Sequence, residues 1–155
     1  MPAMTRTTLK FDPASLRWIG LRFTVVSNRY IYPLYAEIEK GYGLQRHDLS
    51  VIVCLSITNA TTAQEIVRYT GNLKNSISRA VTNLERAGLL SRSTHPDDGR
   101  AASLALTAQG KKVFKQISGR FADRDAKMIA RLNDDERREF TRLFNIISDS
   151  SVGWD

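Results

Sequence analysis

Apolar positions recur at spacings of three and four along most of this chain, with one interval of strand-like alternation. Leu16, Ile19, Phe23, Val26, Tyr30, Leu34 and Ile38 form one stripe of a long amphipathic helix. Pro33 lies inside it and predicts a kink or a break, because its ring removes one backbone hydrogen bond. Trp18, Arg22, Tyr32 and Tyr35 lie off the stripe. That second, partly apolar side suits either a partner chain or burial within the chain's own domain. The glycines of Gly41-Tyr42-Gly43 predict the helix end. Leu49 to Ile57 is apolar nearly all round, which fits a buried helix or a buried strand. Asp48 as a cap, together with the long helix before it, favours a helix.

The interval from Thr61 to Thr107 changes character. Thr62-Ala63-Gln64-Glu65 fits a capping box, in which the threonine hydroxyl takes the Glu65 amide while the carboxylate reaches back. A short helix comes next and stops at Thr70-Gly71. The next helix directs Leu73, Ile77, Val81 and Leu84 to a core and Lys74, Asn75, Ser76, Ser78 and Arg79 to a polar side. A short helix, a glycine turn and a helix with a basic face is the helix-turn-helix pattern, whose second helix enters a DNA major groove. Gly88 ends that helix. Leu89 to Thr94 and Ala102 to Leu106 alternate like strands, and the Asp-Gly of Pro96-Asp97-Asp98-Gly99 predicts a hairpin turn between them. Beside a helix-turn-helix such a hairpin is a wing. Arg92 and Arg100 place guanidinium groups on it, Asp98 can hold Arg100 by an ion pair, and an arginine at the tip suits a narrow minor groove.

Thr107 is the expected cap of another long helix with the stripe Phe114, Ile117, Phe121, Met128 and Leu132. Asn133-Asp134-Asp135-Glu136 signals a further helix start, and Phe140, Leu143, Phe144 and Ile147 give that last helix a core face. Met1 to Pro13 lack periodicity, with Asp12 or Ser15 as cap candidates for the first long helix. The final SDSSVGWD is irregular, and its Trp154 either docks on a partner or frays. The terminal helices carry more apolar surface than the small winged core can cover. Packing on each other and on the same helices of a second copy resolves this. The expected fold is mainly α: one domain over residues 1–155, a winged helix-turn-helix lobe over 49–107, and dimerisation helices over 15–42 and 108–150.

Composition narrows the chemistry. Lys plus Arg is 23 against 16 Asp plus Glu, a net charge of +7, which favours a polyanionic partner. From Gly71 to Leu84 there are two basic residues and no acid. A merely solvated face would account for that charge balance equally well. The single Cys54 makes no intrachain disulfide and sits in an apolar run, as a small core hydrophobe does. A thiol redox sensor would instead need exposure and a positive neighbourhood. No apolar run approaches the roughly 18 residues that span a bilayer, and MPAMTRTTLKFDP lacks the apolar segment of a secretory signal. The expected location is the cytoplasm, with no membrane partner. There is no Gly-rich phosphate loop and no metal-spaced Cys/His cluster, and His47 and His95 lie in unrelated segments. No enzyme, metal or cofactor is expected. Trp18, Arg22, Tyr30 and His47, on or near the first two helices, combine aromatic surface with cations and suit an aromatic carboxylate ligand. Each also has a plainer role, Tyr30 on the core stripe and His47 as a surface polar residue.

The order of these elements resembles the MarR family of winged helix-turn-helix regulators. The matching stretches are TTAQEIVRYTG, SISRAVTNLERAGLL and DDGRAASLALTAQGKKVF. The most specific pieces are Asn83-Leu84-Glu85-Arg86-Ala87-Gly88-Leu89, Asp98-Gly99-Arg100 and Leu106-Thr107-Ala108-Gln109-Gly110. The resemblance spans about residues 15 to 148, the terminal helices by pattern only. It implies a symmetric homodimer on a pseudo-palindromic double-stranded operator and a wing with Arg100 at its tip. It implies base contacts from around Asn75, Ser76, Ser78 and Arg79. It also implies a small-molecule site between the dimerisation helices and the DNA-binding lobe, often for an aromatic acid whose binding releases DNA. The expected function is a repressor of this kind; the alternatives are a ligand-blind or activating DNA-binding protein, or a redox sensor through Cys54. One departure stands out. Members usually place an apolar residue and then a polar cap before the recognition helix, whereas here Asn72 precedes Leu73. If Asn72 is the cap, the helix start moves by one residue.

Overall fold

A computed structural model describes residues 15–58, 61–94 and 102–150 of the chain. In order these form α1 (Ile19–Tyr42), α2 (Arg46–Ile57), α3 (Ala63–Thr70), α4 (Lys74–Arg86), β1 (Leu90–Thr94), β2 (Ala102–Leu106), α5 (Ala108–Met128) and α6 (Asp134–Ser150). Asp12, His95, Asp98, Arg100 and Trp154 lie outside the described residues.

The core gathers around α2 and α4. Leu49, Val51, Ile52 and Cys54 of α2 meet Ile66 of α3, Ile77, Val81 and Leu84 of α4, and Val113 and Ile117 of α5. From α1 only Leu34 and Ile38 are buried in it. The segment after Asp48 is therefore a helix, as its apolar circumference and the preceding helix suggest. Its start differs from expectation. Gln45 occupies the cap position and Asp48 is the third helical residue, its Oδ2 accepting the Gln45 amide at 2.9 Å. A carboxylate in the first turn can serve a helix start from inside as well as from the cap.

Pro33 neither breaks nor ends α1, which runs from Ile19 to Tyr42 as one element. Proline removes one amide from the ladder, and the burial of Leu34 and Ile38 just beyond it keeps the chain helical. The helix stops at Gly43, whose left-handed conformation (φ 66°) lets its amide bond the Glu39 carbonyl at 2.8 Å.

The winged unit is closed by specific polar contacts. Thr62 and Glu65 make the expected capping box: Thr62 Oγ1 accepts the Glu65 amide at 3.2 Å, and Glu65 Oε2 accepts the Thr62 amide at 2.9 Å. Strands β1 and β2 pair antiparallel, with Leu90 opposite Leu106 and Arg92 opposite Leu104. The Leu104 amide also bonds the Thr61 carbonyl at 2.6 Å, tying the wing to the start of α3. Thr107 caps α5 by accepting the Gly110 amide at 3.1 Å, and its hydroxyl donates to the Gly88 carbonyl at 2.7 Å. Gly110 is pressed against the preceding turn so closely that a Cβ there would stand 2.0 Å from the Leu89 carbonyl oxygen.

The outer helices depart from the sequence reading. α5 ends at Met128, so Leu132 lies beyond it, in the turn before α6. Asn133 and Glu136 form a reciprocal cap at 3.0 and 2.8 Å. The expected core face of α6 does not reach this chain's core: Phe140, Leu143, Phe144 and Ile147 are all exposed. So are Leu16, Ile19, Phe23 and Val26, the N-terminal half of the α1 stripe. The periodicity predicts which residues share a face. It does not predict what, if anything, covers that face within one chain.

Candidate nucleic-acid interface

Helix α4 has two sharply different sides. Ile77, Ala80, Val81 and Leu84 are buried, and Lys74, Asn75, Ser78 and Arg79 are exposed. Ser76 is half-buried at the edge between them. A 3.6-residue period turns positions 74, 75, 78 and 79 the same way, so two cations and two short polar side chains share one surface. Among the described residues neither Lys74 nor Arg79 is in an ion pair. Helix α3 packs behind α4, and the turn between them is fixed by Gly71 at φ 65°. Thr70 Oγ1 donates to the Ile66 carbonyl at 2.7 Å and accepts the Asn72 amide at 3.3 Å.

The start of α4 is at Lys74, with Leu73 in the cap position. Asn72 is not the cap, and no side chain caps this helix. Leu73 also leaves the inner face assigned to it from spacing, being 76% exposed. The reason is local: its extended backbone (φ −63°, ψ 137°) precedes the first turn, so its side chain does not follow the helical stripe.

Arg92 has a definite place on the wing. Its Nε pairs with Glu85 at 2.9 Å and its Nη2 donates to Thr82 Oγ1 at 3.4 Å, both acceptors on the last turns of α4. This guanidinium therefore joins the wing to α4 and is partly neutralised. Asp98 and Arg100, expected at the wing tip, lie outside the described residues.

The region 42–101 matches the MarR_2 family model, described as MarR family. An HTH-type transcriptional repressor of Mycobacterium bovis is 27% identical over 101 residues, covering 65% of this chain and 73% of the relative. A MarR transcriptional regulator from Methanosarcina mazei superposes with a TM-score of 0.78 at 20% identity, over 87% of this chain and 96% of that one. A MarR-family regulator from Streptomyces coelicolor, solved in complex with DNA, superposes with a TM-score of 0.70 at 17% identity, over 94% and 92%. The chain resembles the MarR family across its central part and shares the winged helix-turn-helix fold of MarR-family regulators. The matched relatives are transcriptional regulators rather than enzymes, and the fold seen here is theirs. In that fold α4 takes the place of the recognition helix and β1–β2 that of the wing. No helix among the described residues is long and apolar enough to cross a membrane.

The four residues considered for a ligand lie at the start of α1 (Trp18 and Arg22), in its middle (Tyr30) and in the first turn of α2 (His47). Trp18 is exposed ahead of α1, in a left-handed conformation (φ 64°), with the Arg17 guanidinium 5.6 Å from its ring. Arg22 donates to the Ser15 carbonyl at 3.3 Å. His47 lies half-buried in the first turn of α2 with its Nδ1 unpartnered. Tyr30 lines a cavity of about 280 Å³ between α1 and α5. Its walls are Val26, Arg29, Tyr30, Arg124, Lys127 and Met128. Tyr30 donates to Asp125 Oδ1 at 2.7 Å, and burial, then this carboxylate, pushes its pKa well above the usual phenol value. It stays a protonated donor at neutral pH. Arg124 stacks over the Tyr30 ring at 5.7 Å and donates to the Arg29 carbonyl at 2.9 Å, while its buried Nε has no acceptor. Arg29, Arg124 and Lys127 escaped the sequence reading because Arg29 and Arg124 lie 95 residues apart, on two different helices. The spacing of Arg124, Lys127 and Met128 on one face was the available signal.

Cys54 is buried, and burial pushes its thiol pKa up. A buried thiol kept protonated is the opposite of a reactive thiolate. This favours the core reading of Cys54 over the sensor.

Proposed function

We propose that this protein acts as a MarR-type homodimeric repressor on a pseudo-palindromic operator and is released by a small organic acid. The observation that carries the reading is the exposed face of α4, where Lys74 and Arg79 stand without acidic partners beside Asn75 and Ser78. Arg79 can take guanine bidentately, a contact of about 1–3 kcal/mol, while Asn75, Ser76 and Ser78 reach base edges or phosphates. Lys74 supplies phosphate charge, and Asp98 and Arg100 belong to the same proposal as the wing's minor-groove element. Arg92 enters it mainly as the brace between wing and α4, given its contacts with Glu85 and Thr82.

The exposed apolar rows of α1 and α6 support the dimer, with residues 15–42 and 108–150 as its lobe and 49–107 as the reading lobe. Two copies would set two recognition helices about one DNA turn apart. The cavity at Tyr30 supports the effector: its Arg29, Arg124 and Lys127 suit a carboxylate, and Val26 and Met128 suit an apolar body. Such a ligand acts only by binding one arrangement of the lobes better than another.

One titration tests the proposal. A duplex selected by the protein from random sequence is titrated by fluorescence anisotropy at several salt concentrations. Arg79→Ala is expected to weaken binding by about tenfold to a hundredfold, and Lys74→Ala to flatten the salt dependence by about 0.9 in log–log slope. If Arg79→Ala changes affinity less than about threefold, α4 is not docked as proposed. Aromatic carboxylic acids added to the complex are expected to release DNA. Thermal stabilisation without release removes the inducer from the proposal and leaves the DNA reading standing.

A further inference from the structure

The feature of α4 that its fold does not explain is Leu73. It occupies the cap position of the recognition helix, where serine, threonine, aspartate or asparagine would satisfy a free amide. Leucine cannot, and no side chain takes its place. The substitution of an apolar residue at a cap weakens a helix start. Here the side chain gains nothing from burial in return, since it is 76% exposed. Every other large aliphatic side chain of α4 (Ile77, Val81, Leu84) is buried. The placement is also not slack. Gly71 in its left-handed conformation and the Thr70 hydroxyl hold the turn, and the Leu73 carbonyl accepts the Ser76 and Ile77 amides at 3.0 and 3.1 Å. The structure thus holds one apolar side chain at the leading tip of a face that is otherwise polar and basic.

We infer that Leu73 reads thymine, by packing on its C5-methyl group at the base pair that meets the start of α4. The N-terminal residues of a recognition helix are those that contact base edges in the major groove. In that groove the thymine methyl is the apolar recognition element, and an apolar side chain is its complement. Cytosine presents a hydrogen-bond donor on its edge and no methyl group, so Leu73 discriminates against it by leaving that donor without an acceptor. The missing cap fits the same arrangement. With no side-chain cap, and with the Ser76 and Ile77 amides taken by the Leu73 carbonyl, the Lys74 and Asn75 amides are left to donate to a phosphate in the proposed docking. This inference rests on the proposed docking of α4 and adds the identity of one base to it.

The test uses the full chain and a duplex selected from a random-sequence library. Each thymine of a half-site is replaced in turn by deoxyuridine, which removes only the methyl group, and binding is measured for the wild type and for Leu73→Ala. One thymine per half-site is expected at which deoxyuridine weakens the wild type about three- to fivefold. At the same position Leu73→Ala is expected to respond less than about twofold. Leu73→Ser, which restores a cap, should melt higher than the wild type and also lose the methyl response, separating recognition from helix stability. Equal methyl sensitivity in wild type and Leu73→Ala overturns the inference, as does a selected site with no methyl-sensitive thymine. Failure to enrich any sequence overturns the docking of α4 itself, which is a different result.

Discussion

The winged unit and the outer helices are built from the same amphipathic pattern but end in opposite states. In the winged unit the helix termini are tied to neighbouring elements: Glu65 holds Thr61 and Thr62, and Thr107 links Gly88 to Gly110. Its apolar stripes, such as Ile77, Val81 and Leu84, meet others within the same chain. The N-terminal half of α1 and the whole of α6 present stripes of comparable quality to solvent. Phe140 and Phe144 stack on each other at 5.9 Å yet both remain exposed. A periodic apolar row therefore identifies a face meant for burial, and only the surrounding chain determines whether the burying surface is internal. Exposed apolar area on this scale is a mark of an interface.

The contrast breaks most readily at its tightest point. Gly110→Ala drives a Cβ into the Leu89 carbonyl and should destabilise the protein by about 3 kcal/mol in urea unfolding. A loss below about 1 kcal/mol would mean that α5 can slide on the α4–β1 turn, and the winged unit is less closed than described. The next effect concerns the other region. If the proposed dimer forms through α6, Phe140→Asp with Phe144→Asp should halve the mass seen by sedimentation at micromolar concentration while leaving the helical circular dichroism of the winged unit in place. An unchanged mass would show that α6 is not part of the interface between copies.

The smallest effect is in acid. The Thr61 amide, then the Thr62 hydroxyl, holds the Glu65 carboxyl below its ordinary value. A lowered folded pKa means that the unfolded chain binds the proton more readily. Glu65 therefore contributes stability above the ordinary carboxylate pKa, and that contribution is lost as pH falls through the lower folded value. Glu65→Gln keeps an acceptor without the charge and should flatten the acid limb of the stability curve. If the two proteins lose stability in parallel on acidification, the capping box does not depend on the charge.

Much of the winged unit was legible because its signals are local. The Thr62–Glu65 and Thr107–Gly110 caps are each defined within three residues, and the paired strands by alternation within each short strand. Helix starts were less so where two polar residues compete, as at Gln45 and Asp48, where the acid acts from inside the helix. The surroundings of Tyr30 were the least legible. Trp18, Arg22 and His47 share chemistry with Tyr30 but not its location, and the cations that do surround Tyr30 come largely from α5. Sequence proximity on α1 and α2 carried no information about which residues face the same cavity.

By itself the sequence determined the order of elements and the polar face of α4, both of which rest on short-range periodicity and turn chemistry. Tertiary structure decided what those signals leave open. It set the start of α4 at Lys74, because Thr70 and Gly71 fix the turn and put Leu73 in the cap position. It turned Arg92 toward Glu85, because strand pairing brings the wing back over the end of α4. It left α6 uncovered, because a core centred on α2 and α4 is already filled by α3, the wing, one end of α1 and the first half of α5. Which surfaces remain is a property of how the volume fills, and no local pattern encodes it.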